Sequence, residues 1–198
     1  MKWVKQSIHY WCPDTKEHKF LGQNVTVAIL DTGISPHPDF KDRILSFRDF
    51  SSTTGSSEKV LFSFSHFSPL IDNSGHGTHV AGILAGSGLL SSGTYAGIAP
   101  FCNLIIGKVL DQNGNGSIKN VINGIQWIRD IYTQFHIRII NISVGTRPDL
   151  SIHQKLLLLN AVESLWDLGL VVVVSAGNYG PAPGSVTVPG SSPKVITV

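Results

Sequence analysis

Short β-branched runs alternate with longer amphipathic stretches along most of this chain, and this alternation limits the possible folds more than any other feature of the sequence. Five runs predict strands: residues 25–30, 103–110, 138–142, 170–174 and a strand that starts in 194–198. Three stretches between them predict helices: residues 76–86, 118–132 and 152–168. Strands that alternate with helices favour a doubly wound α/β domain, in which helices cover both faces of a mostly parallel central sheet.

The ends of the two longer helices carry typical boundary residues. Ser117 has the side chain of an N-cap, and Gly169 is expected to end the last helix in the left-handed conformation. Leu170–Val174 is apolar throughout, which is typical of a strand at the centre of a sheet covered on both faces. The stretch 46–69, rich in serine and phenylalanine, lacks such a pattern and predicts an irregular surface insertion.

The length of 198 residues fits one sizeable domain. Residues 1–24 have no periodicity and are expected to form an N-terminal arm, while residues 25–198 form the domain, without repeat or linker. The longest apolar run, 168–174, is too short to cross a bilayer. The N-terminus lacks the apolar stretch of a signal peptide. We therefore expect no membrane partner and a cytoplasmic location.

Charge and cysteine content exclude further classes of partner. The formal net charge is only +2 and no basic run occurs, so we expect no nucleic-acid partner. Cys12 and Cys102 are too few for a disulfide framework and match no metal-binding spacing. We expect two reduced thiols, as in a cytosolic protein, and the alternative of one disulfide between them stays open.

Polar residues follow the predicted strands at the points where the strands end. Asp31 follows the first strand and residues 111–116 follow the second, while Ser143 and Asn178 come after the third and fourth. Functional residues of doubly wound sheets gather at the carboxyl ends of the strands. The positions of these residues therefore predict one shared site.

Asp31 and His76, each considered alone, are compatible with more than one role. Asp31 could cap a turn, and the sequence Asp-Thr-Gly also marks aspartic proteases. Those need a second copy in the chain, which is lacking, or a dimer of all-β subunits, which the long predicted helices do not fit. His76 and His79 have the i, i+3 spacing of a metal-binding pair. However, the glutamate of the His-Glu-x-x-His motif is missing and no third ligand cluster follows. We expect no metal and no cofactor at this site.

Five short segments follow one another in this order along the chain: Asp31-Thr32-Gly33-Ile34, His76-Gly77-Thr78-His79-Val80-Ala81-Gly82, Gly97-Ile98-Ala99-Pro100, Asn141-Ile142-Ser143-Val144-Gly145 and Ser175-Ala176-Gly177-Asn178. In sequence and in order they resemble motifs of the subtilisin-like serine proteases, the subtilase family. The resemblance extends from about residue 25 to residue 198. It implies a subtilisin-like fold, an Asp-His-Ser triad that hydrolyses peptide bonds, and a peptide or protein as substrate.

The resemblance assigns a role to each catalytic residue. His76 would be the general base that takes the serine proton and later gives it to the leaving amine. Asp31 would bind the other imidazole nitrogen, fix the tautomer and stabilise the imidazolium. Asn178 would donate its side-chain amide to the developing oxyanion.

Substrate contacts are implied in the same way. Two segments would bind an extended peptide between them through their backbones: Gly114-Asn115-Gly116 and Ser143-Val144-Gly145. Ala176 and Gly177 would form part of the wall of the pocket for the residue before the cut. Val188-Pro189 matches a position where the family often has a cis-proline.

The nucleophilic serine is the main departure from the family pattern. The expected Gly-Thr-Ser-x-Ala motif does not occur in the sequence, and Ser143 and Ser175 already match other positions. We therefore expect a domain that is incomplete at its C-terminus, is inactive alone and needs a complementing segment. A catalytically inactive peptide-binding module and an unrelated α/β ligand-binding domain are the alternatives, and the intact Asp31, His76 and Asn178 favour the protease.

A calcium site of some relatives is also altered here. The loop that supplies it is replaced by Gly86–Gly93, which has no carboxylate. Asp39 matches another calcium ligand of the family but cannot form a site alone. The tight site is therefore expected to be missing, and calcium elsewhere stays open.

Overall fold

A computed structural model describes residues 2–8, 10, 20–51, 58–60, 71–146 and 150–198 of the chain. Within these ranges the strands are β1 (Thr26–Asp31), β2 (Ile44–Asp49), β3 (Glu58–Val60), β4 (Asn103–Lys108), β5 (Ile137–Ile142), β6 (Val171–Val174) and β7 (Ile196–Thr197). The α-helices are α1 (Lys2–Ser7), α2 (His76–Ala85), α3 (Ile118–Ile131) and α4 (Ile152–Asp167).

All of these strands belong to one sheet, in the order β3-β2-β4-β1-β5-β6-β7. β2 and β3 pair in antiparallel orientation, and the other neighbouring strands are parallel. β1 lies in the middle of the sheet, and each of its six residues is buried. Asp31 at its carboxyl end is opposite Lys108 of β4. The mostly parallel, doubly wound α/β fold that the sequence predicts is confirmed.

Helices cover both faces of the sheet. α3 and α4 pack against each other and against the face that contains Ala28 and Leu30 of β1. α2 packs against the opposite face, which contains Val27 and Ile29, because successive strand residues point to opposite sides. Each fully buried aliphatic side chain of this kind contributes about 1.5–3 kcal/mol to folding. The two apolar layers hold β1, and with it Asp31, in a fixed position.

The predicted helix boundaries agree with the structure. The Ser117 side chain accepts a hydrogen bond from the backbone N–H of Asn120 at the start of α3. Ser151 and Gln154 form a capping box at the start of α4. Gly169 follows this helix with a φ of +83°, in the left-handed region.

The predicted central position of the strand at 170–174 is wrong. β6 lies next to the edge strand β7, and Val171 is 39% exposed. Val172 and Val174 pack in the core formed with α4. Val171 and Val173 lie on the other face of the sheet, and the helix on that face, α2, packs over β1, which is two strands away from β6. An apolar strand therefore has only one well-covered face here.

The predicted irregular insertion at 46–69 is also wrong in part, because it contains strand residues. β2 reaches Asp49, and its Ile44, Ser46 and Phe47 are buried. The register of β2 against β4 shifts between Ile44 and Ser46, and this irregularity breaks the alternation by which a strand is recognised. β3 lies within the same stretch, and residues 52–57 and 61–70 are outside the described ranges.

The predicted N-terminal arm, 1–24, contains the short helix α1 and contacts the domain. The Tyr10 hydroxyl donates a hydrogen bond to the Ile98 carbonyl at 2.8 Å. The backbone N–H of Phe101 donates to the Leu21 carbonyl at 2.9 Å. In the part of the chain that the structure describes, no helix is both long enough and apolar enough to cross a membrane.

Cys102 is a free, buried thiol beneath α2. Burial raises the pKa of this thiol to about 11, although the nearby Arg43 guanidinium opposes the rise. The side chain is therefore a protonated core residue near neutral pH. Cys12, the other predicted thiol, lies outside the described residues.

Candidate active site

Loops from four strands lie at the carboxyl edge of the sheet. Asp31 ends β1, and the segments 109–117, 143–146 and 175–178 follow β4, β5 and β6. Because the strand order is β4-β1-β5-β6, segment 109–117 lies on one side of Asp31, and segments 143–146 and 175–178 lie on the other side. Neighbouring strands are about 4.8 Å apart, so the strand that leads to Asn178 lies roughly 10 Å from β1.

Asp31 and His76, which are 45 residues apart in the sequence, meet at this edge. The Nδ1 atom of His76 lies 2.8 Å from Oδ1 of Asp31. The Asp31 side chain is fully buried, whereas that of His76 is 54% exposed. A carboxylate can only accept hydrogen bonds, so the contact requires a proton on Nδ1, and in a neutral ring Nε2 is then the basic nitrogen. The backbone N–H of Thr32 also donates to Oδ1, at 2.6 Å.

This contact depends on a close approach between α2 and the turn that follows β1. A Cβ atom on Gly77 would overlap the carbonyl oxygen of Gly33, so the first turn of α2 can reach this position only with glycine there. Gly33 itself has a φ of +118°, and a Cβ on it would overlap the carbonyl oxygen of Ile71. Both glycines therefore allow His76 to reach Asp31.

Asp72, which none of the sequence motifs includes, accepts five hydrogen bonds next to this contact. Its Oδ1 accepts from the Thr32 hydroxyl at 2.8 Å and from the N–H groups of Gly75 and Ser74 at 2.9 and 3.2 Å. Its Oδ2 accepts from the hydroxyl and the N–H of Thr78, at 2.6 and 2.8 Å. Asp72 lies shortly before Gly75, the N-cap of α2. A short acidic side chain near the start of a predicted helix is the sequence signal that could have revealed this role.

The hydrogen bonds at Asp72 predict a pH-dependent contribution to stability. Burial alone would raise the pKa of this carboxyl, but hydrogen bonds from Thr78, Thr32 and Gly75 outweigh burial and lower the pKa below its ordinary value of 3.8. A carboxyl with a lowered folded-state pKa stabilises the fold above the unfolded-state pKa, and this stabilisation is lost as the pH falls through the folded-state pKa.

We expect Asp72→Asn to lower the free energy of unfolding by about 1–2 kcal/mol near neutral pH, because several hydrogen bonds to a charged, partly screened group are weakened. The difference from the parent protein should shrink as the pH falls below about 4. Urea unfolding of both proteins near pH 7 and near pH 3 measures it. A difference that is the same at both pH values would contradict the assignment of this stabilisation to the ionised carboxyl.

Lys108 is a second residue that the sequence analysis missed. The residue is 5% exposed, and its Nζ donates to the carbonyl oxygens of Thr32 at 2.5 Å and of Leu110 at 2.8 Å. These bonds join the turn after Asp31 to the start of the segment after β4. Asp31 is opposite Lys108 in the parallel strand register. A single lysine inside an apolar strand is the signal that marks it.

The predicted substrate segments lie on both sides of Asp31. Gly114, Asn115 and Gly116 are exposed, and the carboxylate of Asp111 accepts hydrogen bonds from the N–H groups of Asn113 and Asn115 at 2.8 and 2.9 Å. The Asp111 side chain thus holds the backbone of the segment after β4 in place.

The segments after β5 and β6 are joined by residues 187–188. The N–H of Thr187 donates to the Ala176 carbonyl at 2.9 Å, and the N–H of Thr146 donates to the Val188 carbonyl at 3.2 Å. Ser143–Gly145 and Ala176–Gly177 therefore lie side by side. The Val188–Pro189 peptide bond is cis, as the resemblance implies.

Asn178 and Ser143 differ in how their side chains are held. Asn178 is exposed in the loop after β6, and no hydrogen bond to its side-chain amide comes from the part of the chain that the structure describes. The Ser143 hydroxyl accepts a hydrogen bond from the Asn141 amide at 2.8 Å. The structure thus brings Asp31 and His76 into contact and leaves the Asn178 amide available at the same edge of the sheet.

An apolar face of the sheet is exposed beside this edge. Val171 and Val173 of β6 and Ile196 of β7 point to the same side, because Val173 is opposite Ile196 in the parallel register. Val171, Ile196 and Val198 are all exposed. Contiguous apolar patches of this kind are typical of surfaces that contact other polypeptide.

Asp39, the residue that matches a calcium ligand, is bound by hydrogen-bond donors. Its carboxylate accepts from the N–H groups of Gly88 and Leu90, at 2.9 and 3.3 Å. Its carbonyl oxygen accepts from the Ser87 N–H and from the Arg43 guanidinium. Calcium binds through about six to eight oxygen ligands, whereas the Asp39 carboxylate is contacted by two backbone N–H groups. Among the described residues, no cluster of three or more histidine, cysteine or acidic side chains could hold a metal.

Known proteins resemble this chain in sequence. The sequence model of the subtilase family matches residues 22–198. Serine protease AprX of Bacillus subtilis is 43% identical over 182 residues, which are 89% of this chain and 38% of that protein. The major intracellular serine protease of the same organism is 37% identical over 161 residues, 80% of this chain and 44% of that protein. The chain thus spans about two fifths of the length of these curated relatives.

The fold has close structural neighbours as well. The solved structure of sphericase superimposes with a TM-score of 0.75 and 29% sequence identity, and the match covers 89% of this chain and 53% of sphericase. The similarity therefore includes the sheet and the helices that carry the residues described above.

Proposed function

This chain belongs to the subtilase family, a family of serine endopeptidases, and from that premise we propose that it forms the part of such an enzyme that carries the catalytic aspartate and histidine. The 2.8 Å contact between Asp31 and His76 is the observation that carries the proposal. Through its free Nε2, His76 takes the proton of a serine hydroxyl as the serine attacks the peptide carbonyl, and then gives this proton to the leaving amine. Asp31 keeps the proton on Nδ1 and stabilises the imidazolium that forms.

The oxyanion is stabilised by the Asn178 amide in this proposal. The exposed position of Asn178, at the carboxyl edge and two strands from Asp31, supports the role. Negative charge develops on the substrate carbonyl oxygen only as the serine attacks, so a donor that meets it there lowers the barrier. Loss of one such donor costs about 100- to 1,000-fold in turnover.

The substrate is an extended peptide that binds between the segments 114–116 and 143–145. Their location on opposite sides of Asp31 supports this arrangement. The first segment is exposed, and the N–H groups of Gly114 and Asn115 are bonded within the loop. The backbone of Gly116 and the Gly114 carbonyl are therefore the groups that pair with a peptide strand. Ala176 and Gly177, beside the second segment, form part of the wall of the pocket for the residue before the cut.

The serine comes from polypeptide outside these 198 residues. The sequence has no Gly-Thr-Ser motif, and the exposed face that contains Val171 and Ile196 has the apolar character of a surface that a further segment covers. The 198-residue chain alone is therefore inactive, and a complementing C-terminal segment completes the site.

A chimera tests the proposed function. Residues 1–198 are joined to the region of Serine protease AprX that follows its matched segment, and hydrolysis of a chromogenic peptide is measured. We expect the chimera to cleave the peptide and the same chimera with His76→Ala to be inactive. A well-folded chimera without activity, or equal activity in both proteins, would refute the proposed role of His76.

A catalytically inactive peptide-binding module is the second candidate, favoured by the presence of both substrate segments without the serine. In that case the folded chimera would not cleave peptides, yet the 198-residue chain would bind an extended peptide with or without His76→Ala. Fluorescence anisotropy of a labelled peptide distinguishes the two functions.

We further propose that the Asp39 region is stabilised without calcium. Removal of calcium with EDTA should change the Tm by less than about 1 °C, because no ligand is lost. Asp39→Asn should lower the Tm by roughly 2–6 °C, since two hydrogen bonds to a charged group are weakened. Thermal unfolding by circular dichroism measures both. A drop with EDTA as large as that of Asp39→Asn would show that a bound cation is needed.

A cytoplasmic location is part of the proposal. The free Cys102 thiol and the similarity to a relative named as an intracellular protease support it. Fractionation of the source cells, with an antibody against the chain, tests this location directly.

A further inference from the structure

We propose that Asp72 is a positioning residue that fixes the His76 imidazole against Asp31. Asp31 and His76 lie on two separate segments, the turn after β1 and the first turn of α2, and Asp72 binds to both. The set formed by Asp72, Thr32 and Thr78 is called the Asp72 clamp below. The inference builds on the catalytic roles proposed above for Asp31 and His76.

The Asp72 clamp joins the two segments by a reciprocal pair of hydrogen bonds. The Thr32 hydroxyl donates to Asp72 and accepts from the N–H of Gly77, the residue next to His76, at 2.9 Å. The Thr78 hydroxyl also donates to Asp72 and accepts from the N–H of Ser35 at 2.9 Å. A hydroxyl has one proton, so donation to the carboxylate directs its lone pairs to the N–H of the other segment. Asp72 thus orients both cross-links.

Asp72 also sets the residue at which α2 begins. Gly75, the N-cap of this helix, has no side chain that could bind the free N–H groups of the first turn. The Asp72 carboxylate accepts from Thr78, the third residue of the helix, as an N-cap side chain normally does. His76 is the first residue of α2, so its backbone position follows directly from this substitute cap.

An ordinary helix cap would not need the two threonine hydroxyls. A cap satisfies backbone N–H groups of its own helix, whereas the hydroxyl of Thr32 belongs to the segment that carries Asp31. The Asp72 clamp therefore controls the distance between the two segments as well as the helix start. Weakening it should loosen the contact between Nδ1 of His76 and Asp31 even in molecules that stay folded.

The tautomer of the His76 ring tests the proposal without any need for proteolysis. In protein labelled with ¹⁵N-histidine, near pH 9, where ordinary histidines are neutral, long-range ¹H–¹⁵N correlation spectra distinguish the two tautomers. The signal of His76 is assigned by its loss in His76→Ala. We expect the Nδ1–H form to dominate in the parent protein and its fraction to fall at least about twofold in Asp72→Asn, toward the mixture of a solvent-exposed histidine.

Asp39→Asn is the matched control, because Asp39 is also a carboxylate that accepts backbone N–H groups, just beyond the other end of α2. It should destabilise the protein and leave the His76 tautomer unchanged. If Asp72→Asn retains the parent tautomer fraction, or if Asp39→Asn alters that fraction equally, the proposal is wrong.

A second pair of variants covers the case in which Asp72→Asn does not fold. Thr78→Val keeps the side-chain shape but removes the hydroxyl that binds Asp72 at 2.6 Å, and Thr78→Ser keeps the hydroxyl. Thr78→Val should lower the Nδ1–H fraction and Thr78→Ser should not. The same fraction in both variants would overturn the proposal.

The chimera gives an additional readout that separates this inference from the proposed function. In an active chimera, Asp72→Asn should lower kcat by roughly tenfold to a hundredfold and leave KM nearly unchanged, because the base is misplaced while the substrate segments are intact. A change in KM alone would contradict a positioning role. If the chimera is inactive with Asp72 intact, the proposed function fails, and the tautomer measurement still decides whether Asp72 positions His76.

Discussion

Purified alone, the 198-residue chain is expected to leave peptide substrates uncleaved. In the proposed mechanism His76 is the base and Asp31 orients it. The sequence has no Gly-Thr-Ser motif whose serine could give its proton to that base. Loss of the nucleophile from such a triad costs about a million-fold in turnover. Activity at this level is below the detection limit of a chromogenic assay.

A fluorophosphonate probe provides the sharpest measurement of this expectation, because it labels a serine only where a base activates it. The chain alone should remain unlabelled, and the chimera described above should be labelled. Mass spectrometry would locate any label. Labelling of the chain alone at Ser143 or Ser175, abolished by replacing that serine with alanine, would mean that the chain contains its own nucleophile.

Asp31→Asn is expected to lower kcat of the chimera by about 10,000-fold, the order of loss typical of an orienting aspartate. The asparagine amide can donate to Nδ1, so the ring would carry its proton on Nε2 and could no longer accept the serine proton there. The side chain is fully buried, so water cannot replace the lost acceptor. Steady-state kinetics with the chromogenic peptide measure the effect.

Asp130→Asn is the matched control for that variant. Asp130 is an exposed residue of α3 whose carboxylate accepts a hydrogen bond from Gln126 at 2.8 Å. The same chemical change there should alter kcat less than about twofold, as for most surface substitutions. A loss below tenfold for Asp31→Asn, in a chimera with unchanged circular dichroism, would count against the orienting role of Asp31.

Local patterns were sufficient to predict much of the fold. The caps at Ser117 and Gly169 and the helix at 76–86 depend on neighbouring residues, and each agrees with the structure. The lateral position of β6 could not be predicted, because it depends on which elements cover each face of the sheet. β2 was missed since a register shift hides its alternation.

Local signals mark Asp72 and Lys108 in the sequence, but the partners of these two residues could not be predicted from it. Asp72 binds Thr32 across 40 residues, and Lys108 binds the same residue across 76 residues. Neither belongs to a motif, and their roles arise only when the fold brings distant segments together. Asp31 and His76, in contrast, lie in motifs that are recognisable in the sequence itself.

The strand order has a consequence for the synthesis of this polypeptide on the ribosome. β1 emerges before both of its neighbours in the sheet, β4 and β5, and β5 ends at Ile142. At about 5–20 residues per second, β1 remains without its second partner for roughly 5–20 s. During that time the aspartate of the site is attached to an unpaired strand, so chaperone binding to the nascent chain should be strongest in this interval.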